Sequence, residues 1–425
     1  MSSQEGRPPA VKPANATAEA AQVDPRLVVS QEGFKGYLHE FIRKIKGGEL
    51  GSLPVVIGLI LIWVVFQSLN SNFLSAQNLS NLSIDIVATG MISVGIVFVL
   101  LLGEIDLAAG SVSGVAAAVL AVVNVNKGWN PVTSIILAVL VGTLLGFVHG
   151  WFFAKIGVPA FVVTLAGMLA WSGLQLQILG PNGTINLDNN GLVSKLTSSY
   201  FGELIAAYGL AAVATLGFFT ASYLGNIRRK AAGVPVRTLT DLIIRTVGLG
   251  IVAFGVAYVL NSYKGLPVAL LIFLLVCVGS DFILRRTVYG RKVFAVGGNI
   301  EAARRAGINV ASIRISVFMI SGGMAAVGGI FAASRISSAS QATGQSNVLM
   351  MAIAAAVIGG TSLFGGRGST FSALLGMLVI QSIASGMALQ GVSNSIQFMV
   401  TGAVLLGAVV IDSVSRRSQK AAGRA

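Results

Sequence analysis

Residues 84–125 read IDIVATGMISVGIVFVLLL (84–102), GEIDLAAGS (103–111) and VSGVAAAVLAVVNV (112–125). A long apolar run meets a short polar break with two carboxylates, and a second apolar run follows. A membrane-spanning helix needs about 20 apolar residues. The first run meets that length, whereas 112–125 is too short to cross without help. Backbone groups in lipid must be satisfied within the chain, so such runs form helices rather than open strands.

The rest of the sequence repeats the pattern. Of 425 residues, 54% are hydrophobic and only 10% are charged, with a mean hydropathy of +0.82. Soluble domains carry about 25% charged residues, which excludes a soluble chain of this length. Apolar runs fall at 53–69, 84–102, 112–125, 132–154, 158–179, 204–224, 242–260, 266–284, 313–333, 347–363, 371–389 and 391–411. The expected fold is an all-α polytopic membrane protein of 10–12 transmembrane helices in two weakly similar halves, the lower counts leaving some segments re-entrant. Fifty-two glycines suit close helix packing in lipid. Residues 1–50 read as a polar cytoplasmic tail with an interfacial helix over 34–50, where basic and apolar positions alternate. Residues 51–412 form the membrane domain, and 413–425 a short basic tail.

The net charge of +14 would suggest nucleic acid in a soluble protein. Its placement indicates topology instead, and no nucleic-acid partner is expected. With twelve crossings and the N-terminus inside, 25 of the 29 Lys and Arg residues lie on the cytoplasmic side or at cytoplasmic span ends. Only Lys127, Lys195, Lys264 and Arg335 fall outside. That asymmetry places both termini in the cytoplasm.

Three stretches stand out. In the first break, Glu104 and Asp106 sit among apolar residues, where ionised groups are costly and mark pathways or gates. They could also pair with basic residues at the interface. Ser111 is positioned to cap the following helix. The second break, GGTSLFGGRGS (359–369), holds Gly360, Thr361, Ser362 and Ser369, and repeats the order Gly, Leu, Gly, Ser before an apolar helix. Paired interrupted segments point to a transport pathway, although glycines also serve plain packing. The third stretch is the loop 285–312, the longest basic loop between spans. There Asn299 can cap a short helix, Glu301 suits its first turn, and Gly307 ends it. A short charged helix formed by Asn299, Glu301, Ala302, Arg304 and Arg305 could dock into a partner's groove, or simply be a solvated loop.

Chemistry is sparse. No GxxxxGK[ST] phosphate loop and no HExxH motif occurs, and His39 and His149 are the only histidines. His149 reads as a hydrogen-bonded packing residue, and the single cysteine, Cys277, as buried filler. No catalytic residue, metal site or bound cofactor is expected. Two rival readings are a secondary carrier with Glu104 and Asp106 as a proton relay, and a membrane scaffold without transport.

EIDLAAGS (104–111), VPAFVVTLAGMLAWSG (158–173), YGRKVFAVGGNIEAARRAGINV (289–310) and VIGGTSLFGGRGS (357–369) together resemble the ribose/xylose/galactose branch of ABC importer permeases. The resemblance runs from about 50 to 415. It is nearest to the xylose permeases in chain length, in the basic loop 228–237 and in the ending GAVLLGAVVIDS (402–413). It implies a sugar-translocating homodimer, a cytoplasmic ATPase subunit that consumes ATP and Mg, an external sugar-binding protein and a bacterial plasma membrane. It also implies that residues 299–307 form the coupling helix. The sequence departs from the pattern at Asp85, at His149 and in its long N-terminal tail.

Overall fold

The computed structural model describes residues 53–233, 236 and 238–421. The N-terminal tail and the interfacial helix expected at 34–50 lie outside those residues. Every one of the twelve apolar runs is helical. Nine helices are long and apolar enough to span a membrane, and three shorter apolar helices complete the set among the described residues.

The first half comprises α1 (Leu53–Leu69), α2 (Ala76–Leu101), α3 (Ala109–Ala121), α4 (Pro131–Trp151) and α5 (Ala160–Leu179). The run expected to be too short gains length at both ends. Helix α3 starts at Ala109, and a π turn over Val122–Asn126 extends it, giving an 18-residue span. A connecting segment follows, with β1 (Thr184–Asn186), α6 (Leu192–Ser198) and β2 (Tyr200–Phe201).

The second half runs through α7 (Leu204–Ala231), α8 (Leu239–Asn261), β3 (Leu266–Pro267), α9 (Val268–Arg286), α10 (Val288–Gly298), α11 (Ile300–Arg305) and α12 (Val310–Ile336). It closes with β4 (Ser338–Ser340), α13 (Ser346–Ile358), α14 (Phe371–Leu389) and α15 (Asn394–Ala421). The run expected over 347–363 stops at Ile358, because Gly360 takes φ +103° and leaves the helical region. The final helix continues through most of the basic tail predicted from 413.

Burial separates core from periphery. Helices α2, α3, α12 and α14 bury more than half of their most apolar stretch, whereas α7 and α8 bury under a fifth. The exposed faces of α7 and α8 remain apolar, with Ile205, Val213, Ile251 and Val252 open, as lipid contact requires. Helix α12 packs on α2, α3 and α4. Its approach to α4 is close because Gly142, Gly146 and Gly150, one turn apart, face its backbone. A Cβ added at Gly142 would lie 2.6 Å from the Gly322 carbonyl oxygen, and one at Gly150 2.8 Å from Ile315 Cα. Such small-residue stripes let membrane helices touch backbone to backbone.

The connections fall at two ends. At one end, β1 pairs antiparallel with β4 and β2 with β3, so four connecting segments are joined by backbone ladders. Asp85 and Arg335 add an ion pair of 2.8 Å there, between the first half of α2 and the end of α12. At the other end the two glycine breaks meet the α10–α11 segment.

Candidate translocation and coupling site

The two breaks are distant in sequence but adjacent in space. The Gly366 N–H donates to the Leu101 carbonyl at 2.9 Å. A Cβ at Gly365 would lie 2.7 Å from the Gly297 carbonyl oxygen and 3.0 Å from the Gly103 nitrogen. A Cβ at Gly297 would strike the Leu101 carbonyl. Gly103 and Gly365 also hold φ of +78° and +83°, which L side chains rarely adopt. Three stretches of bare backbone therefore form one junction: the end of α10, the first break and the second break. Any side chain there would separate them.

Helix α11 extends from that junction. Asn299 caps it, its Oδ1 accepting from Ala302 N at 2.9 Å, and Gly307 ends the segment at φ +79°. Both expectations hold. Ala303 is buried against the bundle, while Ala302, Glu301, Arg304 and Arg305 are exposed. Glu301 and Arg304 pair at 2.9 Å with side chains 65% and 61% accessible. The pair is fully solvated and adds little to stability. It shapes an outward charged face. Tyr289 on α10 shares a 3.0 Å hydrogen bond with Ser316 of α12 and ties the segment to the core.

The two carboxylates of the first break diverge. Asp106 is 3% exposed. Its Oδ1 accepts from Ala108 N at 2.9 Å and its Oδ2 from the Ser321 hydroxyl at 2.8 Å. It thus fixes the start of α3 and latches it to the middle of α12. Ser111 does not cap α3. The helix begins two residues before it, and its hydroxyl donates back to the Ala108 carbonyl at 2.9 Å. Within a first turn, a serine hydroxyl meets the carbonyl three residues back rather than a free N–H. Glu104, between the spans, is half-buried. Burial pushes its pKa up, and the Arg314 guanidinium partly offsets this.

In the second break, Phe364 N donates to the Ser362 hydroxyl at 3.0 Å, and Ser362 N to the Arg367 carbonyl at 3.0 Å. Ser369 donates to Asp281 of α9 at 3.0 Å, and Thr370 donates to the carbonyl of the buried Cys277 at 2.8 Å. Thr361 N bonds the Ala356 carbonyl at 2.9 Å and closes the end of α13 beside Gly360. Each break is therefore held by one serine–carboxylate bond to a neighbouring helix. The sequence reading missed the partners Ser321 and Asp281. Asp281 was discernible, since it is the one carboxylate in the apolar run 266–284.

Beside the first break lies a cavity of about 390 Å³, with Leu107, Gly110 and Ser111 on its inner wall. Glu104 and Asp106 are not among its lining residues. His149 is 2% exposed and accepts from Trp171 Nε1 at 2.7 Å, joining α4 to α5 as a packing residue. Replacing His149 by leucine leaves the indole N–H without its acceptor. The expected cost is about 1–2 kcal/mol, read as a lower melting temperature in detergent.

A family model described as "Branched-chain amino acid transport system / permease component" matches residues 78–409. The xylose transport system permease protein of Escherichia coli (strain K12) is 38% identical over 378 residues, covering 88% of this chain and 94% of its own. The chain belongs to the permeases of ABC monosaccharide importers. The xylose permease of Haemophilus influenzae is 34% identical over 375 residues, 88% of this chain and 99% of its own. The ribose import permease of Bacillus subtilis is 30% identical over 365 residues, 86% and 94% of the two chains. No solved structure matches the chain. The permease is thus a multi-pass plasma-membrane protein, of a family that operates with separate ATPase and binding-protein partners. The polar breaks lie within its matched region.

Proposed function

We propose that the chain conducts xylose, or a similar pentose or hexose, into the cell as a homodimer. A cytoplasmic ATPase subunit that uses ATP and Mg drives it, and an external sugar-binding protein supplies the solute. The permease itself binds no cofactor and performs no chemistry on the sugar. The basic residues favour cytoplasmic termini, which supports a position for α11 on the ATPase side. The observation that carries the reading is the glycine junction. A displacement of α11 by an ATPase reaches Gly297 directly, and through it the backbones of both breaks. Closure of the ATPases would then shift the inner ends of α2, α3, α13 and α14 together, which is what alternating access demands. Glu301, Arg304 and Arg305 would make the docking contacts, with Asn299 and Gly307 holding the helix ends.

The test is a charge swap, Glu301→Arg with Arg304→Glu. The variant keeps an ion pair within α11 but inverts its outward charges. Reconstituted with its ATPase subunit, it is expected to lose stimulation of ATP hydrolysis by about tenfold or more, since facing like charges cost several kcal/mol. Unchanged stimulation would remove α11 from the interface. Uptake by the permease alone, abolished by an uncoupler while ATP is held constant, would favour the proton-driven carrier instead.

A further inference from the structure

The cavity beside the first break lies between α3, α5 and the loop that leads from β4 into α13. Its polar lining comes from Ser111, Ser172, Gln175, Gln341 and Gln345. No charged side chain lines it among the described residues. Its volume, about 390 Å³, falls in the range of small-molecule sites. Its walls are organised. Gln175 is buried and its amide donates to the carbonyls of Ser340 and Thr343, both at 2.9 Å, which pins the outer loop to α5. Ser172 donates to the Met168 carbonyl at 2.7 Å, and Ser111 to the Ala108 carbonyl. Both hydroxyls therefore spend their proton on their own helix and keep lone pairs for an incoming donor. Gln341 and Gln345 are exposed and carry amides that both donate and accept.

We infer that this cavity is the permease's own substrate waypoint, a weak site for a neutral polyhydroxy solute held by serine lone pairs and glutamine amides. The inference rests on the sugar-importer reading and deepens it. Sugar hydroxyls donate and accept in equal measure, and this lining offers both functions without charge. An amino acid, which the family description names, would bring an ammonium and a carboxylate to a lining that offers a counter-charge to neither. Weak binding is the functional requirement, because a solute on a pathway must also leave. The inner wall, Leu107 to Ser111, belongs to the first break and the first turn of α3. The element that joins the coupling junction therefore also shapes the cavity, and the site can be emptied by the motion that drives transport.

The single native cysteine is buried, so a cysteine introduced into the cavity reports alone. Ser172→Cys and Gln341→Cys, in the complete transporter, are labelled with a hydrophilic thiol reagent, with Ser262→Cys on the outer surface as reference. Millimolar D-xylose, D-ribose or L-arabinose is expected to slow labelling several-fold at both cavity positions and not at the reference. Leucine is expected to have no effect. Labelling indifferent to every sugar, while the wild type with its partners still takes up a monosaccharide, overturns the waypoint and leaves the importer reading intact. Protection by leucine rather than sugar overturns the substrate class. Failure of the wild-type transporter to take up any monosaccharide overturns the importer reading itself, and the waypoint with it.

Discussion

Gly146→Val is expected to abolish most of the folded permease and to lower the melting temperature of what remains by far more than an ordinary surface substitution. A Cβ at Gly146 would strike the carbonyl oxygen of Phe318 and approach Met319 Cα to 3.1 Å. Both are backbone atoms of α12, and backbone cannot rotate out of the way. Overpacking that side chains can absorb costs about 1–3 kcal/mol, and here the helices themselves must part. Separation would also open the contacts of Gly142, Gly150 and Gly322, which share the seam. Since α12 also supports α2 and α3, the damage spreads into the core. Gly209→Val on α7 is the control, because nothing lies within 4 Å of its added Cβ. Thermal unfolding in detergent should separate the two clearly. Equal melting temperatures would show that α4 and α12 do not pack through this stripe.

Asp106→Ala is expected to eliminate uptake while leaving the protein in the membrane. The substitution removes the acceptor for Ala108 N and for the Ser321 hydroxyl, both buried. An unsatisfied buried donor costs about 1–3 kcal/mol. The start of α3 then loses both the turn that leads into it and its latch to α12. Asp106→Asn separates this role from proton transfer. An asparagine oxygen still accepts from Ala108 N, and its amide can donate to the Ser321 oxygen. Uptake should therefore recover substantially in the asparagine variant. A proton relay would be as dead with asparagine as with alanine, so equal inactivity of the two would defeat the latch.

The helices were legible because lipid leaves an apolar run little alternative, and all twelve runs became helices. Their ends were less so. The short third run crosses because it starts at Ala109, after a turn held by Asp106, and a π turn lengthens it. Sequence spacing cannot show which of two neighbouring polar residues will find the first free N–H. The ends of the α11 segment were readable, since the cap at Asn299 and the stop at Gly307 are local events. Nothing local announced that Gly297, Gly103 and Gly365 meet, nor that Ser321 and Asp281 hold the breaks. The cavity was equally hidden. It draws Ser111, Ser172 and Gln341 from three distant segments, and ordinary serines and glutamines carry no motif.

The two ends of the bundle differ in how they are joined. One end has paired strands and the Asp85–Arg335 ion pair, and the other has bare glycine backbone in contact. Mechanically this is a beam clamped at one end and resting on a smooth bearing at the other. A thrust delivered at the bearing would swing the free ends through an arc, while the clamp would stay nearly still. If the proposed drive acts there, the helix ends at the glycine junction would move furthest and those at the paired strands least, and the stroke would grow with distance from the clamp.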